Sequence, residues 1–374
     1  ATATVAATVT GTHELRLVQA GRARVLVDGA VVLDATEGEY ERGDDFFGMG
    51  SVEIVTPVEL AAGQPIEIVV EFDNRDAVLL TGFRLGLVVL VEQDLLGRAE
   101  ALAAETDVAV VVVGTNDDWE TEGRDRDLWE LPGDQPELIR RVAAVNERTI
   151  VVVNAGAVHD MSWIDEPAAV LVVGFGGQEL GDALVDVLLG ADDPGGRMPT
   201  TVPAAYEQFA AYPNYPGDNS SVRYGEGVFV GHRWHDTVGV EPAVAFGDGL
   251  SYTTFSIGAP RVVATAIAGE TVGVEVEVTN TGERRGSEVV QVYVEPVAPA
   301  MVRPRRELKG FAKVRLEPGE STTVAIELDA RAFAYFDPAD ADWDRVSALS
   351  IVPAEGGGLH RTAAGWWVDP GEYL

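Results

Sequence analysis

The chain holds 374 residues with a formal net charge of −34 and no cysteine. That length implies two or three domains, and such a charge argues against nucleic acid or an anionic membrane surface as a partner. Without cysteine there is no disulfide, thiolate metal site or cysteine nucleophile, and no apolar run is long enough to span a bilayer.

Residues 1–92 alternate polar and apolar in short runs: Ala7 to Gly11, Glu14 to Val18, Ala23 to Val27 and Ala30 to Asp34. Gly21, Asp28-Gly29 and Glu37-Gly38 punctuate them, and Asp28-Gly29 is a hairpin signal. Pro65 to Phe72 and Gly82 to Val89 continue the pattern, so a β-sandwich is expected. The alternation starts at the first residue, with neither a charged leader nor Met, so an excised segment of a longer protein is expected. The compartment, cytoplasmic or secreted, stays open.

Residues 93–257 change period. Gln93 to Thr106 is an alanine-rich helical connector. Asp107 to Val113 is a continuous apolar run that predicts a parallel strand buried on both faces. Asp134 to Asn146 reads as a helix, with apolar residues at 138, 139, 142 and 145 and a cap-like start at Asp134 and Pro136. Thr149 to Asn154 and Ala168 to Val173 are two more strands, and Gly181 to Gly190 another helix. This alternation predicts a parallel α/β sheet with right-handed crossovers. Its three loops, 114–133, 154–167 and 174–178, should gather beyond the carboxyl ends of the strands, where open parallel sheets bind ligands.

The first of these loops stands out. Gly114 to Arg126 carries five acids, two arginines and one tryptophan in thirteen residues. A solvated acidic loop is the plain alternative in so acidic a chain. Residues 258–374 return to β, with clean alternation from Thr271 to Asn280 and turns at Asn280-Thr-Gly and Glu317-Pro-Gly. A fibronectin type III-like sandwich is expected, with Asp337 to Trp366 as an insertion and a last strand cut short near Leu374.

Two resemblances follow from ordered motifs. Ala20 to Gly29 and Phe46-Phe-Gly-Met-Gly-Ser51 resemble the protective-antigen-type β-sandwich module, lacking its opening strands. That likeness implies a loop that leans over a sugar site, with Phe46 and Phe47 offering ring faces for stacking; the alternative is that both rings fill the sandwich core. Glu122-Gly-Arg-Asp-Arg126, Leu131-Pro-Gly-Asp-Gln135, Met161-Ser-Trp163, Gly177-Gln-Glu-Leu-Gly181, Gly196-Arg-Met-Pro199, Tyr224-Gly-Glu-Gly227, Gly231-His-Arg-Trp-His-Asp236 and Phe246-Gly-Asp-Gly-Leu-Ser-Tyr-Thr-Thr-Phe255 are similar, in this order, to the C-terminal half of glycoside hydrolase family 3. Multidomain α/β plus all-β architecture is thereby implied: 1–92 protective-antigen-like, 93–257 α/β sandwich, 258–374 fibronectin type III-like.

The family's β-glucosidases retain configuration with two carboxyl groups. The resemblance implies that Glu122 is the acid/base, and a general acid must be neutral before the step, which a desolvated place beside Trp119 would favour. Glu120 is the rival, with a solvent-facing carboxylate as its plain reading. Asp125 and Arg126 are expected to pair with each other or to fix the loop. Trp119 and Arg124 join Phe46 and Phe47 as substrate-binding candidates; Arg124 replaces an aromatic residue common there. The family's nucleophile is an Asp on a (β/α)8 barrel, in a Ser-Asp-Trp context absent from this sequence. The implied partners are therefore a β-glucoside or oligosaccharide and the missing barrel, with a homo-oligomer open. No cofactor is implied. Gly174 to Gly181 fails the dinucleotide fingerprint because residue 179 is Glu, His232 and His235 lack further metal ligands, and Ser162 with His159 lacks a nucleophile elbow. The competing class is a non-catalytic carbohydrate-binding or adhesion protein.

Overall fold

The computed structural model describes residues 1–74, 79–90, 94–122, 125–263, 271–299, 301–337, 351–353, 365–368 and 371–374. It divides into two compact units, Ala1–Ala99 and Glu100–Leu374.

The first unit is a β-sandwich. Strands β1 (Thr2–Ala6), β2 (Gly11–Ala20), β3 (Arg22–Val27), β4 (Ala30–Ala35), β5 (Ile54–Leu60), β6 (Pro65–Asp73) and β7 (Gly82–Val89) form two antiparallel sheets, ordered β1-β6-β3-β4 and β5-β2-β7. Alternation along each strand turns one face inward: Leu15 and Leu17 from one sheet meet Val25, Ile68 and Val70 from the other. Burying each such leucine contributes about 1.5–3 kcal/mol. The β3–β4 hairpin closes through Asp28 and Gly29, both at positive φ (48° and 79°). This left-handed pair is what a two-residue turn between twisted strands demands. The short turn α1 (Asp45–Gly48) holds Phe46 and Phe47 at φ 54° and 55°.

In the second unit the chain runs from α2 (Leu95–Ala104) into β8 (Ala109–Gly114), α3 (Gln135–Val145), β9 (Thr149–Asn154), β10 (Ala169–Val172), α4 (Leu180–Leu188) and α5 (His232–Val238). The three strands are parallel, ordered β10-β9-β8. Helix α3 buries Ile139 and Val142, three residues apart on one face. Asp134 stands at its N-cap but makes no side-chain cap bond. The expectation that β8 is buried on both faces is corrected: Val111 and Val113 are buried, but Val108, Val110 and Val112 are 46%, 47% and 62% exposed. Alternate side chains point to opposite faces, and only one face of β8 is covered by described residues.

The remaining strands are β11 (Phe255–Ile257), β12 (Arg261–Val262), β13 (Val272–Asn280), β14 (Gly286–Val294), β15 (Glu307–Leu316), β16 (Ser321–Leu328), β17 (Tyr335–Asp337), β18 (Ile351–Pro353) and β19 (Gly365–Val368). β13 pairs with β11, β12 and β16, β14 pairs with β15, and Val276, Val278, Val290, Leu316 and Ile326 fill the space between these two sheets. Buried Asn280 ties the turns together. It donates to the carbonyls of Arg284 and Leu316 at 2.7 and 2.9 Å and accepts from Thr253 Oγ1 at 2.8 Å. Most of the expected insertion between Asp337 and Trp366 lies outside the described residues. No helix among the described residues is long and apolar enough to cross a membrane.

Candidate active site

The 114–133 loop leaves β8 at Gly114, which has φ +156°; a Cβ there would lie 1.9 Å from the Asn154 carbonyl oxygen. Only glycine lets β8 and β9 come this close at their carboxyl ends. Gln135 at the start of α3 then clasps the same residue, accepting from Gly114 N at 2.6 Å and donating to Gly114 O at 2.9 Å. The loop's departure point is thus fixed by backbone contacts.

Beyond it, Asn116 nucleates a turn that lifts Trp119, and its carbonyl accepts from Glu120 N at 2.9 Å. Glu120 points back inward. Its Oε1 accepts from Thr115 Oγ1 at 2.5 Å and Gly156 N at 3.1 Å and lies 3.4 Å from His159 Nε2. The solvent-facing reading of Glu120 is therefore wrong: its side chain is only 15% exposed and serves as the loop's anchor. Burial pushes its carboxyl pKa up, but hydrogen bonds from Thr115, Ala157, His159 and Gly156 outweigh that and hold it below the ordinary value. A carboxylate held ionised in this way is a poor proton donor.

His159 is 3% exposed and comes from the loop after β9. Burial, then the charge of Arg126, pushes its pKa down against the pull of Glu120. The Arg126 guanidinium lies 2.7 Å from His159 Nδ1 and donates to Val158 O at 2.9 Å. Asp125 instead accepts from the Tyr215 hydroxyl. Of the two expectations for Asp125 and Arg126, mutual pairing or fixing the loop, the second holds: each finds a partner from another loop. The third loop joins at Gly156, where a Cβ would meet Glu120 Oε2 at 2.6 Å and the Phe175 ring at 2.7 Å. All three loops gather beyond the strand ends, as the alternation of elements predicts.

Between these anchors stands Glu122, exposed, two residues after Glu120 and three before Asp125. Trp119 is 40% exposed. Arg124 lies outside the described residues. Trp129 packs edge-on against Phe209 at 5.2 Å, and Phe209 in turn against Tyr206, an aromatic wall that sequence periodicity did not reveal. In the first unit Phe46 lies over Gly50 and Gly82, where added Cβ atoms would meet its ring at 2.9 and 3.2 Å. Phe47 is 74% exposed, so the alternative in which both rings fill the core fails for Phe47. Two bulky residues at positive φ mark a loop whose strain the surrounding structure sustains. Among the described residues no cluster of His, Cys, Asp and Glu could hold a metal ion.

Comparison with known proteins places these features. Residues 6–232 match the glycosyl hydrolase family 3 C-terminal domain, and residues 288–348 match the fibronectin type III-like domain. A β-glucosidase of Rhizobium radiobacter is 40% identical over 348 residues, covering 90% of this chain and 42% of the relative. Thermostable β-glucosidase B of Acetivibrio thermocellus is 42% identical over 263 residues, covering 70% of this chain and 35% of the relative. The structure of a β-glucosidase from Kluyveromyces marxianus in complex with glucose superposes with a TM-score of 0.82 at 34% identity, over 90% of this chain and 40% of that one. The chain thus spans about two-fifths of the length of the relatives it matches. With its ordered motifs, its parallel α/β layer and its fibronectin type III-like sandwich, it belongs to glycoside hydrolase family 3, within the C-terminal half of that architecture.

Proposed function

We propose that this chain is the C-terminal portion of a retaining β-glucosidase and supplies the general acid/base, Glu122, to a site whose nucleophile resides on a (β/α)8 barrel. The observation that carries the reading is the pinning of the loop on both sides of one exposed carboxyl. Glu120 holds one flank through Thr115 and Gly156, and Asp125 and Arg126 hold the other through Tyr215 and Val158. Such anchoring presents Glu122 outward at low conformational cost. Glu120, held as an anion, is unsuited to donate the proton. The uncovered valine face of β8 is the kind of apolar surface that a further layer of the parent protein would cover.

In the complete site the barrel carboxylate attacks the anomeric carbon while Glu122 gives its proton to the leaving oxygen. Glu122 then takes a proton from the water that hydrolyses the glycosyl-enzyme. Trp119, Arg124, Phe46 and Phe47 are the candidate contacts to the sugars. The partners are a β-glucoside or oligosaccharide and the barrel. The chain alone turns over no glycoside.

The test uses a protein that joins this chain to its barrel. Glu122→Ala lowers hydrolysis of a disaccharide by about 10²–10⁴-fold, spares activated aryl glucosides more, and lets azide restore rate. Unchanged disaccharide kinetics in Glu122→Ala, or clear aryl β-glucoside hydrolysis by the pure 374-residue chain, refutes the reading.

A further inference from the structure

A cavity of about 280 Å³ lies beside α5, where the 239–246 segment meets Tyr293 on β14 and Arg305 and Arg306 ahead of β15. It is far along the chain from the acid/base loop and is built from different residues.

Its wall is aromatic. His232 stacks on Phe246 with ring centroids 4.5 Å apart at 19°, and Tyr293 meets His232 edge-on at 6.1 Å. Burial pushes the His232 pKa down, which favours the uncharged ring. Against this wall sits a fixed polar pair. Arg306 donates to both oxygens of Asp236, at 2.8 and 3.0 Å, and its guanidinium lies over the Tyr293 ring at 5.4 Å. Held on two sides, the pair presents fixed donors and acceptors side by side. Arg305 and Arg306 are balanced by Asp236 and Glu241 in the same lining. With both lining histidines, His232 and His235, counted as neutral the two arginines and two carboxylates cancel, in a chain of −34 that repels anions.

Two further polar atoms of the lining residues have no hydrogen-bond partner among the described residues: Thr201 Oγ1 and His232 Nε2. Thr201 is 5% exposed. Both atoms are fully buried, so they belong to the packed layer behind the cavity and not to its open surface.

Neutral polyhydroxy compounds fit this chemistry. Adjacent hydroxyls of a pyranose donate to a carboxylate and accept from a guanidinium, and the C–H face of the ring lies on an aromatic surface. The volume, about 280 Å³, is just below the range of about 300–1,000 Å³ of drug-sized sites and suits a single ring. We propose that this cavity binds a single neutral monosaccharide in pyranose form, at a site separate from the one that holds Glu122.

Calorimetric titration of the 374-residue chain with D-glucose, D-xylose and, as an anion probe, inorganic phosphate tests it. Saturable 1:1 binding of glucose or xylose is expected, at least tenfold weaker in Asp236→Asn and in Arg306→Lys and unchanged in Glu122→Gln. Circular dichroism checks that each variant is folded, and Arg306→Lys, which keeps the charge and loses the fork, carries the test if Asp236→Asn unfolds. Absence of saturable sugar binding overturns the proposal. So does sugar binding that survives both folded variants, binding lost in Glu122→Gln, or phosphate that binds here more tightly than either sugar.

Discussion

Glu120→Ala tests whether the 114–133 loop owes its shape to one buried carboxylate. The bonds from Thr115 Oγ1, Gly156 N and His159 Nε2 all end on Oε1, at 2.5, 3.1 and 3.4 Å. The first two are well-formed bonds to an anion, each contributing about 1.5–3 kcal/mol, and the third is too long to count fully. Bonds that share one acceptor are not additive. Removal should therefore cost the second unit about 2–4 kcal/mol. Glu120→Gln keeps an oxygen where all three donors converge and loses only the charge, so it should cost about 1 kcal/mol. Urea unfolding followed by tryptophan fluorescence measures both, and the alanine variant should melt on the order of 10 °C lower. Amide hydrogen exchange should rise in residues 115–122 and 154–159 and stay level in β13 to β16. Equal stability of Glu120→Ala and the parent chain, within about 0.5 kcal/mol, would falsify the anchoring role. So would exchange that rises uniformly.

Two further outcomes follow from the same loops. The imidazole of His159 is held below its ordinary pKa of 6.5, so the unfolded chain takes up that proton first. Stability should be full above pH 6.5 and fall as pH drops from there to the depressed value, a limb that His159→Gln shortens; His232 adds to it in the same direction. Glu120, depressed below 4.5, extends the loss at lower pH; a stability profile flat from pH 7 to pH 4 contradicts the His159 assignment, and one that does not fall further below pH 4 contradicts that of Glu120. Gly114→Ala places a methyl group 1.9 Å from Asn154 O at an unfavourable φ. It should cost about 3 kcal/mol by differential scanning calorimetry, and a neutral result would mean that the strand ends part freely.

Elements with strong periodicity were legible in the sequence. The run Thr149 to Asn154 is strand β9, bounded as expected, and the Asp28-Gly29 hairpin has the left-handed pair its composition implies. What escaped was contact across distance. Nothing local to Glu120 signals that His159, thirty-nine residues later, will face it. Nothing near Asp125 points to Tyr215, ninety residues on. Adjacency left Asp125 and Arg126 either to pair with each other or to fix the loop, and the topology decided it by offering each a partner on a neighbouring loop. Burial is also a property of the assembly. The valines of β8 read as a doubly covered strand because composition records affinity for a covering layer, whether or not the described chain supplies it. Phe46 and Phe47 illustrate a third limit: their positive φ values are set by the turn, and Phe is not a residue from which a left-handed turn is predicted.

Strand β8 has a further consequence, for the colloidal behaviour of the chain. It ends the order β10-β9-β8, so one row of its backbone donors and acceptors meets no strand among the described residues. An open edge flanked by exposed valines is a template on which a second chain can add a strand. Mutual repulsion at −34 keeps copies apart. That repulsion is screened within about 8 Å at physiological ionic strength and about 3 Å in molar salt. Dilute buffer should therefore keep the chain dispersed, and concentrated salt should drive edge-to-edge association, with β8 as the seam.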